Sequence, residues 1–433
     1  MIDRRRFLAA ASLAAGAARG NTARSTPLKA DFWGTQYYDD KEQQQLMDVL
    51  EARQPFRWYG SGSTPPMKVA TFEREFAARM QTRYALAVTS GTAALQCAMA
   101  ALRIGPGDEV ILPAWTWHSC YSAIVLAGAL PVFAEIDESF NIDPSDIERR
   151  VTPQTKVILA AHLQGNPCDM DRIMPIAAKH GIRVLEDCAQ SVGASYKGRP
   201  VGSMGDIAIY SLQLNKTITA GEGGAVVTND PVLFEGASRF HDVGGFRALH
   251  EKVAGGHRVN AFAGTNFRMN EFSGGVLLAQ LRKLDRIVGD ARANARRVYD
   301  GIRDLPNLRL RHRPDPDGEL GAGIYLGFKS KEQRDRFAAA MKDANVPVAP
   351  PVGSVLLPTQ EYIEQKRTVH PAWPSFASGR GLSIQYGAAC CPRTIDILNR
   401  YAGVLIDPKF TRRDTDDIVA AIRSAYPAGS QVL

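Results

Sequence analysis

Residues 205–230, GDIAIYSLQLNKTITAGEGGAVVTND, decide the fold. They read as an apolar strand over 207–212, a short polar turn holding Lys216, a glycine-rich corner, and a second strand over 225–228. An ammonium is costly to take out of water. A lysine in a turn between two buried strands therefore either reaches solvent or does chemistry. The two segments upstream favour chemistry.

Residues 182–190, IRVLEDCAQ, form a buried strand that ends in carboxylates, with Asp187 near its carboxyl tip. Residues 85–102, ALAVTSGTAALQCAMAAL, read as a strand, a Ser-Gly-Thr turn and a helix. The free N–H groups at such a helix start, with the hydroxyls of Ser90 and Thr92 beside Gly91, make a phosphate site. A carboxylate facing a pyridine nitrogen keeps that nitrogen protonated and makes the ring an electron sink. Together the three segments supply what a lysine-bound pyridoxal 5'-phosphate requires. Strands at 85–88, 109–112, 130–135, 157–161, 183–186, 207–211 and 225–228 alternate with helical or loop segments. Continuous apolar runs of this length predict an α/β fold with a mainly parallel seven-stranded sheet, covered on both faces. Ligands of such sheets bind beyond the strand carboxyl ends, where Ser90, Asp187 and Ser211 all fall.

At this density of motif the chain resembles the DegT/DnrJ/EryC1/StrS aminotransferases. The segments that carry the resemblance are SGTAAL, GPGDEVILPAWTW, LPVFAEID, GNPCDMDRI, LEDCAQSVGASYKGRPVGSMGD, YSLQLNKTITAGEGGAVVTND and GTNFRMNEF, within residues 58–426. The resemblance implies a type I pyridoxal-phosphate fold. It also implies transfer of an amino group from glutamate or glutamine to a keto-sugar or keto-cyclitol. Lys216 would anchor the cofactor and move the proton, and Asp187 would pair with its ring nitrogen. Trp117 would stack on the ring, a role Trp115 could also fill. Gln190 would sit beside the ring hydroxyl and Ser211 would hold the phosphate. Asn266, which by itself reads as a helix cap, would cross a homodimer interface to the neighbour's phosphate. Trp58 and Tyr59 would stand near the substrate mouth. Gln213 makes the pattern Ser-x-Gln-x-x-Lys, more like members acting on cyclitols or aminobenzoate-type ketones. A dehydratase of the same family and a cofactor-binding sensor are the competing readings; the first tends to replace the anchoring lysine by histidine. No GxGxxG opens a strand–helix unit, which disfavours a dinucleotide-dependent oxidoreductase.

The chain of 433 residues carries 52 basic and 45 acidic side chains, a net charge of +7. Residues 1–30 hold six of the basic residues against Asp3 alone, and the rest has 46 against 44. The basic character thus belongs largely to the leader, with no case for nucleic-acid binding. That leader, MIDRRRFLAAASLAAGAARG, sets Arg4-Arg5-Arg6-Phe7-Leu8 before an apolar run too short to span a bilayer. It resembles a twin-arginine export signal, with small residues at Ala15-Gly16-Ala17 for cleavage, and predicts a periplasmic protein; a cytoplasmic protein with a basic extension is the competing reading. The expected division is an export signal and linker over 1–30, a large cofactor-binding domain over 31–290, and a small α+β domain over 291–433. Residues 240–264 read as a loop near the mouth. Residues 347–358 and 370–381 read as entrance loops, with His370, Trp373 and Arg380 as candidate substrate contacts. The six cysteines show neither zinc spacing nor a disulfide framework, and no metal site is expected.

Overall fold

The seven predicted strands form a single sheet, β1 (Tyr84–Val88), β2 (Glu109–Pro113), β3 (Leu130–Ala134), β4 (Thr155–Ala161), β5 (Arg183–Asp187), β6 (Ile207–Ser211) and β7 (Gly224–Thr228). In this computed structural model their spatial order is β1-β7-β6-β5-β4-β2-β3. Only β7 runs against the others, pairing antiparallel with β1 and with β6. Residues 24–57, 66–348, 350–351, 354–377 and 379–426 are described here, so the arginine-rich leader, Trp58 and Tyr59 lie outside the description. Alternate side chains feed opposite faces. Leu86 and Val88 join one apolar core while Ala85 and Ala87 join the other. Both faces are covered, which explains why the strands lack the polar alternation of a half-solvated sheet.

Helix α1 (Gly91–Ala101) follows β1 and is capped by Ser90, whose Oγ accepts from the Ala93 N–H at 3.0 Å. Helix α2 (Glu271–Leu281) is buried along most of its length. Helices Asp40–Ala52 and Lys68–Arg79 pack over it. A Cβ on Gly274 would lie 2.6 Å from a Val69 methyl, so the helices meet at a residue without a side chain. Its own cap is Asn270, which accepts from the Ser273 N–H at 2.9 Å, so Asn266 is not the cap. Residues 240–264 also differ from a simple loop. They include a helix, Ala248–Ala254, and Glu235 gathers Arg239 together with the N–H groups of Arg258 and Val259.

Helix α3 (Leu284–Ile302) bridges two cores: Leu284, Ile287 and Val288 pack on the sheet side, and Ala295, Val298 and Ile302 in a second cluster. The division expected at 290/291 therefore falls inside one helix. The second cluster is built on an antiparallel pair, β8 (Gly323–Gly327) with β9 (Tyr401–Leu405), and on helices Lys331–Asp343 and Arg412–Ala425. On the other edge of β8, residues 308–311 make only a single bridge, Leu310 to Leu326. Sequence reading missed β9. Residues 24–30 are not a free linker. Arg24 pairs with Asp414 and Asp417 at 2.7 and 2.8 Å, and Leu28 is buried in the second core. Among the described residues no helix is long and apolar enough to cross a membrane.

Candidate active site

Three turns meet at the carboxyl edge of the sheet. Ser90 follows β1, Asp187 ends β5, Ser211 ends β6, and the turn after β6 carries Lys216. They line a cavity of about 580 Å³ that also takes in Gly91, Thr92, Trp117 and Gln190. The lysine turn is built by its own sequence. Gln213 Oε1 accepts the Asn215 N–H at 2.9 Å, the Lys216 N–H returns to the Gln213 carbonyl, and Thr217 and Ile218 are buried behind it. Burial depresses the Lys216 ammonium below its usual 10.5, against the opposing pull of Asp187 and Cys120.

Asp187 is only 6 % exposed. Its Oδ1 accepts from the Ala189 N–H at 2.9 Å and its Oδ2 from the Cys120 thiol at 3.0 Å. Burial first, then the neighbouring carboxylate, pushes that thiol far above its ordinary value, so Cys120 stays a donor. The adjacent Glu186 points the other way. It accepts N–H bonds from Gly202, Met204 and Gly205 and a bond from His162 Nε2 at 3.0 Å. Burial alone would raise Glu186, but His162 and these amides outweigh it and hold the carboxyl below its usual range. His162 Nδ1 accepts from the Cys168 N–H at 2.9 Å, so the ring carries its proton on Nε2 and is neutral. Ligand atoms of His162, Glu186 and Cys188 lie within 4.8 Å of one another, yet the first two already satisfy each other and nearby amides.

At the start of α1 the N–H groups of Gly91 and Thr92 have no acceptor within the helix. A Cβ on Gly91 would stand 2.7 Å from Ser211 Cβ, so the helix start and the end of β6 touch here. Thr92 Oγ1 and Ser119 Oγ are 2.7 Å apart. Trp117 is 51 % exposed and lines the cavity, whereas Trp115 is buried edge-on to Phe140, which resolves the choice of which ring faces the cavity. Gln190 Oε1 accepts from the Gln164 N–H at 3.0 Å, and its Nε2 donates to Ser354 Oγ at 3.0 Å. The structure does not bring Asn266 into this cavity. It is exposed, with Oδ1 accepting from the Arg268 N–H at 3.3 Å. His370, Trp373 and Arg380 are also absent from the lining. Trp373 Nε1 donates to the Val125 carbonyl, and Arg380 pairs with Glu109.

A model of the DegT/DnrJ/EryC1/StrS aminotransferase family matches residues 38–378. The chain belongs to that family. It is similar to the GDP-perosamine synthase of Escherichia coli O157:H7, with 41% identity over 72% of this chain and 85% of that one. It is equally similar to the 3-amino-5-hydroxybenzoate synthase of Amycolatopsis mediterranei, at 41% over 73% and 85%. A crystal structure of 3-amino-5-hydroxybenzoic acid synthase superposes with a TM-score of 0.75 at 29% identity, covering 92% of this chain and 99% of that one. This family member is an aminotransferase dependent on pyridoxal phosphate.

The residues present fit that cofactor. An amine with no described partner at Nζ, a buried carboxylate facing the same space, and helix-start amides beside two hydroxyls are three distinct needs met in one cavity. Sequence reading missed Cys120, His162 and Gln164. His162 directly follows β4 and Gln164 lies two residues on, so both could have been found from their place at the strand edge. Cys120 becomes visible only through its contact with Asp187.

Proposed function

We propose that this aminotransferase moves an amino group from glutamate or glutamine to the ketone of a sugar or cyclitol, as an exported homodimer. The convergence of Lys216, Asp187 and the start of α1 on one cavity carries the reading. Bound pyridoxal phosphate supplies an electrophilic carbon for amines and a sink for the electrons left when a C–H bond breaks. Lys216 anchors it, and with its ammonium depressed by burial the side chain is neutral more readily than an exposed lysine. With the cofactor bound, Lys216 would act as the base that takes the proton from the donor's α-carbon and would deliver a proton to the acceptor's carbon in the reverse half-reaction. Asp187, its carboxylate fixed by the Cys120 thiol and the Ala189 N–H, would keep the ring nitrogen protonated. Ser90, Gly91, Thr92 and Ser211 would hold the phosphate, Trp117 would serve the ring face, and Gln190 the ring hydroxyl.

Asn266 serves the neighbouring subunit in this reading. Its exposure outside its own cavity supports that, as does the anchoring of its segment. Arg268 and Arg247 both bind Asp242, and the Phe267 carbonyl accepts from the Thr89 N–H at 3.0 Å. Export through the twin-arginine route is supported by the leader sequence. Cleavage near Ala17 would leave the packed Arg24 and Leu28 in place. The test is to incubate purified enzyme with either donor and a panel of keto-sugars and keto-cyclitols, then detect aminated product by mass. An aminated sugar or cyclitol is the expected result; loss of the donor's nitrogen without any such product would refute the acceptor class.

A further inference from the structure

Away from the cavity, the chain sets two cysteines side by side. Cys390 closes a short 3-10 turn, Ala388–Cys390, and Cys391 occupies the cap position of the helix Pro392–Arg400 that follows. Both thiols turn to one acceptor. The Gly387 carbonyl lies 3.1 Å from Cys390 Sγ and 4.0 Å from Cys391 Sγ. Cys390 is partly exposed, whereas Cys97, Cys120, Cys168, Cys188 and Cys391 are all buried. The two thiols also bond each other, and this contact shifts them in opposite directions. It lowers the Cys390 thiol below its ordinary value, with the charge of Arg150 adding to it against burial, and it raises Cys391. The thiolate, not the thiol, attacks disulfides. An accessible sulfur with thiolate character beside a second thiol can be attacked or oxidised and then resolved by its neighbour.

We propose that Cys390 and Cys391 form a redox-active dithiol, a modification site for small disulfides such as oxidised glutathione. The Cys390 thiolate attacks one sulfur of the small disulfide, and the other half leaves as a thiolate. Cys391 then gives its proton to solvent and attacks Cys390 Sγ, which expels the second half. The protein loses two electrons and two protons, and the reagent gains them as two thiols. The turn can give way to this closure. Its backbone bonds run from the Cys390 N–H to the Gly387 carbonyl and from the Cys391 N–H to the Ala388 carbonyl, both at 3.2 Å, and Pro392 brings no N–H to the helix start. Adjacent Cα atoms lie about 3.8 Å apart across a trans peptide, closer than the roughly 4.4–6.8 Å that disulfides usually span. The bond formed here is therefore strained and readily reduced, which makes the pair a reversible exchange site rather than a structural staple. The resolving neighbour also stops oxidation of Cys390 short of the irreversible sulfinic step.

The test treats the folded, cofactor-loaded wild type with dithiobis(nitrobenzoate). Released thionitrobenzoate is separated from the protein and counted by absorbance, and the protein is mapped by mass. A rapid phase that releases about two thionitrobenzoates per chain is expected, with no reagent left on the protein and a disulfide inside the peptide holding Cys390 and Cys391. Dithiothreitol should restore both thiols. In Cys391→Ser the rapid phase should fall to about one per chain, with the adduct kept on Cys390. In Cys390→Ser it should vanish, because the buried Cys391 is not reached. Oxidised glutathione should give the same internal disulfide in the wild type. A nitrobenzoate or glutathione adduct that persists on wild-type Cys390 overturns the proposal. So does a wild type that shows no rapid phase, or one whose rapid phase maps to the other cysteines. These overturning results are read on the wild type and need no variant to fold.

Discussion

In the proposed reaction Lys216 would carry a mobile proton and Asp187 a fixed charge, and each role has its own signature. Borohydride should fix the cofactor's mass on Lys216. Lys216→Ala should retain cofactor through its phosphate while amino transfer falls by about 10³-fold or more, since anchor and proton carrier are lost together. The depressed Lys216 ammonium also predicts a pH effect in protein stripped of cofactor. Between the lowered value and 10.5 the unfolded chain binds a proton at this site that the folded chain does not, so stability rises with pH across that window. Melting temperature of the wild type relative to Lys216→Met should climb on going up through it, and a flat difference would contradict the assignment. Asp187→Asn keeps the shape but removes the charge, and should cost about 10²-fold or more in rate with little change in melting. Cys120→Val strips one donor from Asp187 Oδ2, worth about 1 kcal/mol or about fivefold in rate, and Cys120→Ser should restore it.

At the level of elements, the site depends on α1 starting directly against the end of β6. The capping bond of Ser90 fixes where the helix begins, and Gly91 lets Ser211 approach that first turn. Gly91→Ala places a methyl 2.7 Å from Ser211 Cβ, which must move. Overpacking of this kind costs about 1–3 kcal/mol. The dissociation constant for pyridoxal phosphate should rise about tenfold or more, measured by fluorescence titration. Unchanged affinity would mean that the phosphate sits elsewhere.

For the molecule as a whole, the proposed shared site and the proposed export each have a direct test. Mixed Lys216→Ala and Asn266→Ala chains should regain part of the activity that each lacks, because a mixed dimer has one site with both residues intact. Subunit exchange without rescue would refute a shared site. Ligand bound only by the assembled form stabilises it by mass action, so cofactor should also raise the dimer fraction. Arg4→Lys/Arg5→Lys should leave unprocessed active enzyme in the cytoplasm while wild type is recovered from the periplasm beginning near Ala18. Wild type found only in the cytoplasm would refute export.

The sequence by itself determined the seven sheet strands, to within two residues at each end, because fully buried strands write themselves as uninterrupted apolar runs between turns. It also brought Ser90, Asp187, Ser211 and Lys216 to one cavity, since strand carboxyl ends of a parallel sheet gather at one edge whatever the loops do. It could not decide between Trp115 and Trp117, and its reading of 24–30 as linker missed that the segment joins the second core. Neighbouring residues on an extended chain point to opposite sides, and which side is the cavity depends on what packs there. The same limit hid β9, whose YAGVL is short and pairs with a strand some 80 residues away. The Cys120–Asp187 contact and the bond from the Cys168 N–H to His162 Nδ1 were decided only by the tertiary structure. Each arises from side chains on separate strands and helices, brought together by packing that no local pattern encodes.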